Sequence, residues 1–555
     1  MSPNTNTNTN INDSNNNSDV YGEQKQKVQT QQHLQSVEES FDKKAKQFIQ
    51  RTEDHALQGL NPGGIYQAIW CRDASFILKS WFHSGNIQGL LQQISTVWTH
   101  QIEAGKEKIV YGRGSPEMKY KPTKATKEIQ KKFEGALPTT IYQAGYSEVY
   151  GLNPDLDSTA LMISTSSWVL TKILKNQINT SNSNIKNQGI STPPPNPSSE
   201  LSKYSQSKTN TNSKKVIDYV VPRMINAVRY LQNRDIDNDG ILEQSHNEDW
   251  MDTGLRAGKV VYSQACFILA LNNLSYLLAE NGQDDESKKM MDISNRTINA
   301  VEKILWLEDK SAYIDILKSD YIGGPHRVLT QDVSLYSVAI SENTNSDSLR
   351  IHQNNNNNNN INNSDISNQE SNINKDNSIS IKGNDDNNEH PLKQKSGKHD
   401  NQQQDKEENQ QRFEYDNNSN NLDLMLQRSN RTLDSIKERV WLDKWPTNIE
   451  TLLKESGPLH LKPYFYHNRT FWPWITGIEM MARSRFDRFD ECDILLSKLA
   501  SKEDIHISTF YEWVNPKTGK GGGAFPFRTG VCTVRTAIDH IIKGLDHKKR
   551  KDIDK

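Results

Sequence analysis

Apolar positions along this chain recur mainly at spacings of three and four. In VIDYVVPRMINAVRYL, which starts at residue 216, Ile217, Val221, Met224, Val228 and Leu231 form such a series, the period of one helical face. The stretch KVVYSQACFILALNNLSYLLAE (259–280) predicts a strongly apolar helix, and 284–307 predicts a charged amphipathic one. Further helical patterns fall at 73–83, 155–175, 474–499 and 531–545. Some are apolar nearly all round and others on one stripe only, a mixture that suits inner helices covered on both sides and outer helices wet on one. Alternating β-runs are scarce and short. The pattern predicts an all-α domain, with no internal repeat clear enough to count turns.

Three stretches break that pattern: 1–40, 176–214 and 344–425, the last with seven consecutive asparagines at 354–360. Such composition buries too little apolar surface to offset the entropy of ordering. The expectation is therefore a disordered tail (1–40) and a single domain over 41–555 interrupted by two solvated insertions, 176–214 and 344–425. These stretches account for the low apolar content of 34%, since all 11 tryptophans lie outside them. With 67 basic and 69 acidic residues in 555, the net charge of −2 gives no electrostatic case for nucleic acid or an anionic membrane. No apolar run approaches the ~18 residues of a membrane span, and MSPNTNTNTN at the start lacks the basic and apolar regions of a secretory signal. Cys71, Cys266, Cys492 and Cys532 are too few and scattered for a disulfide framework, and no CxxC pair suggests zinc. A reduced, cytoplasmic protein without cofactor or metal is expected.

Four clusters carry candidate chemistry. Trp70, Arg72 and Asp73 stand together before an apolar helix. An indole packs on the C–H face of a sugar while a charged pair bonds its hydroxyls; the structural reading is that Asp73 caps the helix and pairs with Arg72. Glu248, Asp249, Trp250 and Asp252 lead into the helix from 259. Trp250 and Met251 are costly to expose, so this loop should pack down and desolvate its carboxylates, which raises a carboxyl pKa as a general acid requires. The same segment opens with Asp235, Asp237, Asp239 and Gly240, spaced like an EF-hand start, but the twelfth position is His246, which favours a bare turn over a calcium loop. His467, Asn468, Trp472 and Trp474 interleave polar and aromatic groups before another helix, with Pro473 suited to an early helical position; they read as a stacking wall or as core. Glu512, between Tyr511 and Trp513 and ahead of GKGGGAF, either anchors a buried network or activates water. The glycines lack the spacing of a phosphate loop, and no nucleophile elbow, zinc signature or dinucleotide fingerprint is present. Two distant carboxylates among indoles fit glycosidic hydrolysis, one protonating the leaving oxygen and the other activating water or attacking directly.

At these motifs the sequence resembles the amylo-α-1,6-glucosidase (glycogen debranching) group of (α/α)6-barrel glycosidases. WCRD at 70–73 is similar to its substrate-binding motif and DWMD at 249–252 to its acid motif. FYEW at 510–513 with GAFPFRTG resembles the base-bearing segment, and YHNRTFWPW at 466–474 resembles the YHNG-x-WP motif of toroid glycosidases. The resemblance implies an (α/α)6 toroid, inversion, Asp252 as acid and Glu512 as base. It also implies sugar contacts from Trp70, Arg72 and Asp73, with Glu248, Trp250, His467, Trp472, Trp474 and Arg528 as further wall residues. The partner is then an oligo- or polysaccharide. Arg469 stands where the motif has a small residue, and no transferase domain or β-sandwich is evident, which points to short substrates. Trehalase, glucosylglycerate-type hydrolase and neutral invertase are sister specificities. A sugar isomerase or epimerase is disfavoured because only His467 lies in a strong motif, and a silent glycan-binding module is the reading from another class.

Overall fold

The computed structural model describes residues 16–103, 109–112, 123–124, 127–143, 145–150, 153–186, 198–254, 256–319, 324–344, 418–443, 445–453, 461–500 and 511–553. Among the described residues, besides the short helix Lys127–Lys132, twelve longer helices dominate: α1 (Asn16–Ala56), α2 (Cys71–Phe82), α3 (Ile87–Trp98), α4 (Leu156–Lys186), α5 (Ser198–Gln232), α6 (Val261–Glu280), α7 (Asp284–Ile304), α8 (Ser334–Thr344), α9 (Asn418–Ser435), α10 (Pro473–Arg485), α11 (Phe489–Ala500) and α12 (Arg528–Ile553). The even-numbered helices form a closed inner ring. α2 packs on α4, α4 on α6, α10 on α12 and α12 back on α2, while the 3-10 turn Gln331–Val333 that opens α8 sits between α6 and α10. The odd-numbered helices cover this ring: α3 lies on α2 and α5, α5 on α4, α7 on α6, α11 on α10, and α1 on α11 and α12. Outer and inner helices alternate along the sequence. This is an all-α, (α/α)6 toroid.

The chain divides into two compact units, Met1–Ile340 with Arg428–Lys555, and Ser341–Gln427. The ring belongs to the first. The second contains the end of α8 and the start of α9, and the remainder of the 344–425 stretch lies outside the described residues.

Apolar content sorts the layers as hydrophobic burial requires. In α6 seventeen of twenty residues are buried. By length and composition it is apolar enough to cross a membrane, yet it is covered by protein within the ring. α7 buries one stripe, including Met290, Ile298 and Val301, and turns its charges to solvent. Three expected boundaries shift. The run 474–499 is two helices, broken at Phe486–Arg488 where Asp487 takes a left-handed φ of 56°. α1 begins at Asn16, inside the expected tail, because its later turns find partners: Lys44 pairs with Asp493 at 2.6 Å, and Phe41, Ala45 and Phe48 are buried. Helices α4 and α5 also enter the 176–214 stretch from both sides, leaving 187–197 outside the described residues.

Small antiparallel pairings fix the connections that precede inner helices. Ile69–Trp70 pairs with Thr140–Ile141, which pairs with Ser147–Tyr150. Glu243–Gln244 and Asp315–Ser319 flank Gly258–Lys259. Trp513–Val514 pairs with Gly521–Gly522.

Candidate active site

One end of the ring, where the inner helices begin, holds a cavity of about 300 Å³. Its walls come from residues at or just before helix starts: Trp70, Arg72 and Asp73 at α2, Asp155 at α4, Trp250 and Asp252 ahead of α6, Trp472 and Trp474 at α10, and Phe527 and Thr529 at α12. Backbone N–H groups and the positive ends of the helix dipoles face this end, which favours the carboxylates gathered there.

Asp252 and Glu512, 260 positions apart, line the same cavity. Asp252 retains 35% side-chain exposure, and burial on its other sides raises its pKa to about 6, opposed by Arg72 and assisted by Asp249. Its inner Oδ1 has no hydrogen-bond partner, and the His467 ring nitrogen Nδ1 lies 3.4 Å away. Glu512 is 6% exposed. The Tyr66 hydroxyl donates to its Oε1 at 3.0 Å and the Ala524 N–H to its Oε2 at 2.8 Å. Burial raises its pKa to about 7; those two donors lower it, while Asp73 and Asp252 raise it.

The glycine run places Glu512. An added Cβ would come within 2.3 Å of the Tyr511 ring at Gly521, of the Trp513 ring at Gly522 and of Glu512 Oε2 at Gly523. Each glycine thus makes the space in which one residue of Tyr-Glu-Trp lies.

Arg72, Asp73, Asp155 and Asp157 form one network. Arg72 Nη1 lies 3.3 Å from Asp157 and Nε 3.7 Å from Asp73, whose Oδ1 accepts from Thr529 at 2.6 Å. Asp73 is not the cap of α2; Trp70 occupies that position without a side-chain bond. Asp249, in the same loop as Asp252 and also lining the cavity, is held as a loop anchor. Gln244 Nε2 and Arg256 Nη1 hold its Oδ2 at 2.9 and 3.2 Å, and Met251 N–H holds its Oδ1. Arg256 also binds Asp315 and Asp332, and Asp332 accepts the Trp250 indole N–H at 2.6 Å. Trp250 is then wedged edge-on against His467, Trp472 and Trp474.

Three expected wall residues do not reach the cavity. His467 is fully buried behind it, stacked 4.8 Å from Trp472, and its pKa falls far below the usual value through burial and the Arg72 and Arg256 charges. Glu248 is fully buried against Arg234 and Asn153. Arg528 binds His55 O at 2.8 Å and Asn61 Oδ1 at 2.6 Å, tying α12 to the end of α1. In each case sequence proximity to a wall residue did not fix which way the side chain turns. Tyr466, the first residue of the YHNRTFWPW cluster, lines the cavity, as do Tyr66 and Tyr150, which were not singled out. Tyr66 lies four residues before the WCRD motif, which was the available signal; Tyr150 lies in no highlighted motif.

The Asp235–Asp239 turn holds a cation of the protein's own. Lys259 Nζ reaches Asp237 at 2.8 Å and also binds Asp239, while Arg296 holds Asp235 at 2.7 Å. A calcium ion there would have to displace the Lys259 ammonium.

No protein-family model matches the chain, and no curated protein matches its sequence. Solved structures do. A GH63 mannosylglycerate hydrolase from Thermus thermophilus in complex with glucose is 12% identical, with TM-score 0.46, covering 89% of this chain and 98% of that one. The glucoamylase of Saccharomycopsis fibuligera is 11% identical, with TM-score 0.46, covering 92% and 96%. A rhamnosidase from Klebsiella oxytoca with rhamnose bound is 10% identical, with TM-score 0.45, covering 92% and 64%. At such values the assignment of the fold rests on the chain's own ring of helices.

Proposed function

We propose that the protein is a glycoside hydrolase acting on α-glucosidic bonds, with amylo-α-1,6-glucosidase activity the first to be tested. The observation that carries this reading is the convergence of Asp252 and Glu512, both with raised pKa, on one cavity walled by Trp70, Trp250, Trp472 and Trp474. Asp252 is the general acid: its carboxyl opens to the cavity with Oδ1 unpartnered, and burial outweighs Arg72 and the Thr253 backbone N–H in raising its pKa to about 6. Glu512 is the base: two donors offset part of the rise that burial causes, and its ionised form takes a proton from water. Trp70 and the Arg72–Asp73 pair bind the terminal ring. Glu512 titrates above Asp252, so the productive ionisation is a minority form of the free protein.

The experiment is a screen for glucose release from isomaltose, maltodextrin, trehalose, sucrose and glucosylglycerate, repeated with Asp252→Asn and Glu512→Gln. Asp252→Asn should lower turnover of a disaccharide by about 10²–10⁴-fold and affect an aryl glucoside with a good leaving group much less. Glu512→Gln should depress both alike. The opposite pattern exchanges the roles, and disaccharide turnover untouched by either change removes the mechanism. Magnetic resonance of the first-formed anomer tests inversion, for which the carboxyl groups stand ~6.5–9.5 Å apart.

A further inference from the structure

The His467 imidazole is fully buried and tightly packed behind Asp252. Its ring lies 4.0 Å from that of Tyr466 and 4.8 Å from that of Trp472, and the Trp250 ring meets it edge-on at 5.1 Å. The backbone beneath it is equally constrained. Tyr464, Tyr466 and Arg469 take left-handed φ values of 59°, 49° and 61°, and Asn448 Nδ2 donates to His467 O at 2.7 Å. Non-glycine residues persist in that region where their surroundings over-determine the loop, and such loops gather at functional sites.

The two ring nitrogens have different surroundings. Nδ1 lies 2.9 Å from the Thr253 hydroxyl oxygen and 3.4 Å from Asp252 Oδ1, whereas Nε2 has no hydrogen-bond partner among the described residues. A neutral imidazole carries one N–H. On Nε2 that N–H would be buried without an acceptor, which is costly; on Nδ1 it faces two oxygens. A second proton would recreate the orphan at Nε2, and burial with the Arg72 and Arg256 charges also disfavours it. Hydrogen bonding therefore assigns the neutral Nδ1–H form.

We propose that His467 is the positioning residue of the general acid: its Nδ1–H faces Asp252 Oδ1 and so keeps the carboxyl proton on Oδ2, the oxygen left to face the cavity. The inference rests on the reading of Asp252 as the acid and adds the group that aims its proton. Asp252 Oδ1 is buried although the side chain is 35% exposed. A proton on Oδ1 would meet the imidazole N–H head-on, so the neutral carboxyl carries it on Oδ2. At 3.4 Å the N–H···O contact is longer than a formed bond, and such contacts tighten as charge develops. In the reaction Oδ2 gives its proton to the glycosidic oxygen, which departs with the electron pair of the C–O bond. The carboxylate left on Asp252 then draws Nδ1–H toward Oδ1.

The test joins spectroscopy to kinetics. In protein labelled with 15N-histidine, long-range proton–nitrogen correlation should show Nδ1 protonated in the His467 ring, identified by its absence in His467→Phe or His467→Asn. His467→Phe keeps the stack on Trp472 and removes the donor. Turnover of the disaccharide cleaved in the screen should fall about 10–100-fold at nearly unchanged KM. An aryl glucoside with a good leaving group should change less than about threefold, because its departure needs little acid. His467→Asn, whose amide N–H lies near the place of Nδ1–H, should recover part of the loss. A protonated Nε2, equal losses on both substrates, or unchanged disaccharide turnover in His467→Phe overturns the proposal. Should the phenyl variant not fold, the proton's place in the native ring decides alone. An Nδ1–H ring in a protein that hydrolyses nothing keeps the imidazole's aim at Oδ1 and removes the enzyme. Hydrolysis that depends on Asp252 without the leaving-group split in His467→Phe removes the positioning role alone.

Discussion

Glu512 receives hydrogen bonds on both carboxyl oxygens, whereas Asp252 keeps an unpartnered Oδ1. The pH profile follows from this pair. With pKa values of about 6 and about 7, kcat/KM should be bell-shaped with apparent limbs near those values, which belong to the interacting pair. The Tyr66 hydroxyl lowers the Glu512 pKa, so Tyr66→Phe should move the alkaline limb upward and lower the maximum. An unmoved limb would show that this hydroxyl does not tune the base. The sequence made the pair itself legible, since a carboxylate between Tyr511 and Trp513 is improbable as a solvated charge. Tyr66 was not legible as the partner of Glu512, because 446 positions separate them and only the folded ring brings them together.

Among the elements, the Glu512 hairpin is the most constrained. Gly523 has φ +73°, and an added Cβ there collides with the Glu512 carboxylate. Gly523→Ala should cost about 1–3 kcal/mol of stability and reduce kcat more than it raises KM, measured by denaturant melts and steady-state rates. Equal losses in Gly519→Ala, where the added Cβ meets nothing, would make the effect one of backbone strain alone. The glycines were visible as a run, and their spacing excluded a phosphate loop. Their purpose was not visible, because it depends on strand register. The Asp235–Asp239 turn gives the same lesson: its partner Lys259 lies 20 residues from Asp239, beyond any local motif. Element existence was readable from the three-and-four spacing. The start of α1 and the break at Asp487 were not, since packing partners and a left-handed residue set them.

For the whole molecule, buried carboxyls decide the response to pH. Asp157, Asp315 and Asp252 are raised to about 6 and Glu512 to about 7, mainly by burial. The folded state therefore holds these protons more tightly than the unfolded chain, and the stability they contribute is present at low pH and lost as pH rises through 6–7. Buried His467 and His540 act in the opposite sense. Burial depresses both, so the unfolded chain takes up their protons first as pH falls below about 6.5. Four raised carboxyls outnumber these two histidines, so the melting temperature should rise as pH falls from 8 toward about 4.5, less steeply once the histidines oppose it. A monotonic increase toward pH 8 in a thermal scan would contradict that balance.

Arg528 grips the backbone of His55 and the side chain of Asn61 across more than 460 positions of chain. Trp70 caps the first helix of the inner ring and Thr529 belongs to the last, so the pocket draws on both ends of the ring-forming chain. During renaturation, helical dichroism should return well before any capacity to bind or turn over sugar, with the lag set by the meeting of the two termini. Simultaneous recovery of both signals would mean that the pocket assembles without that final seam.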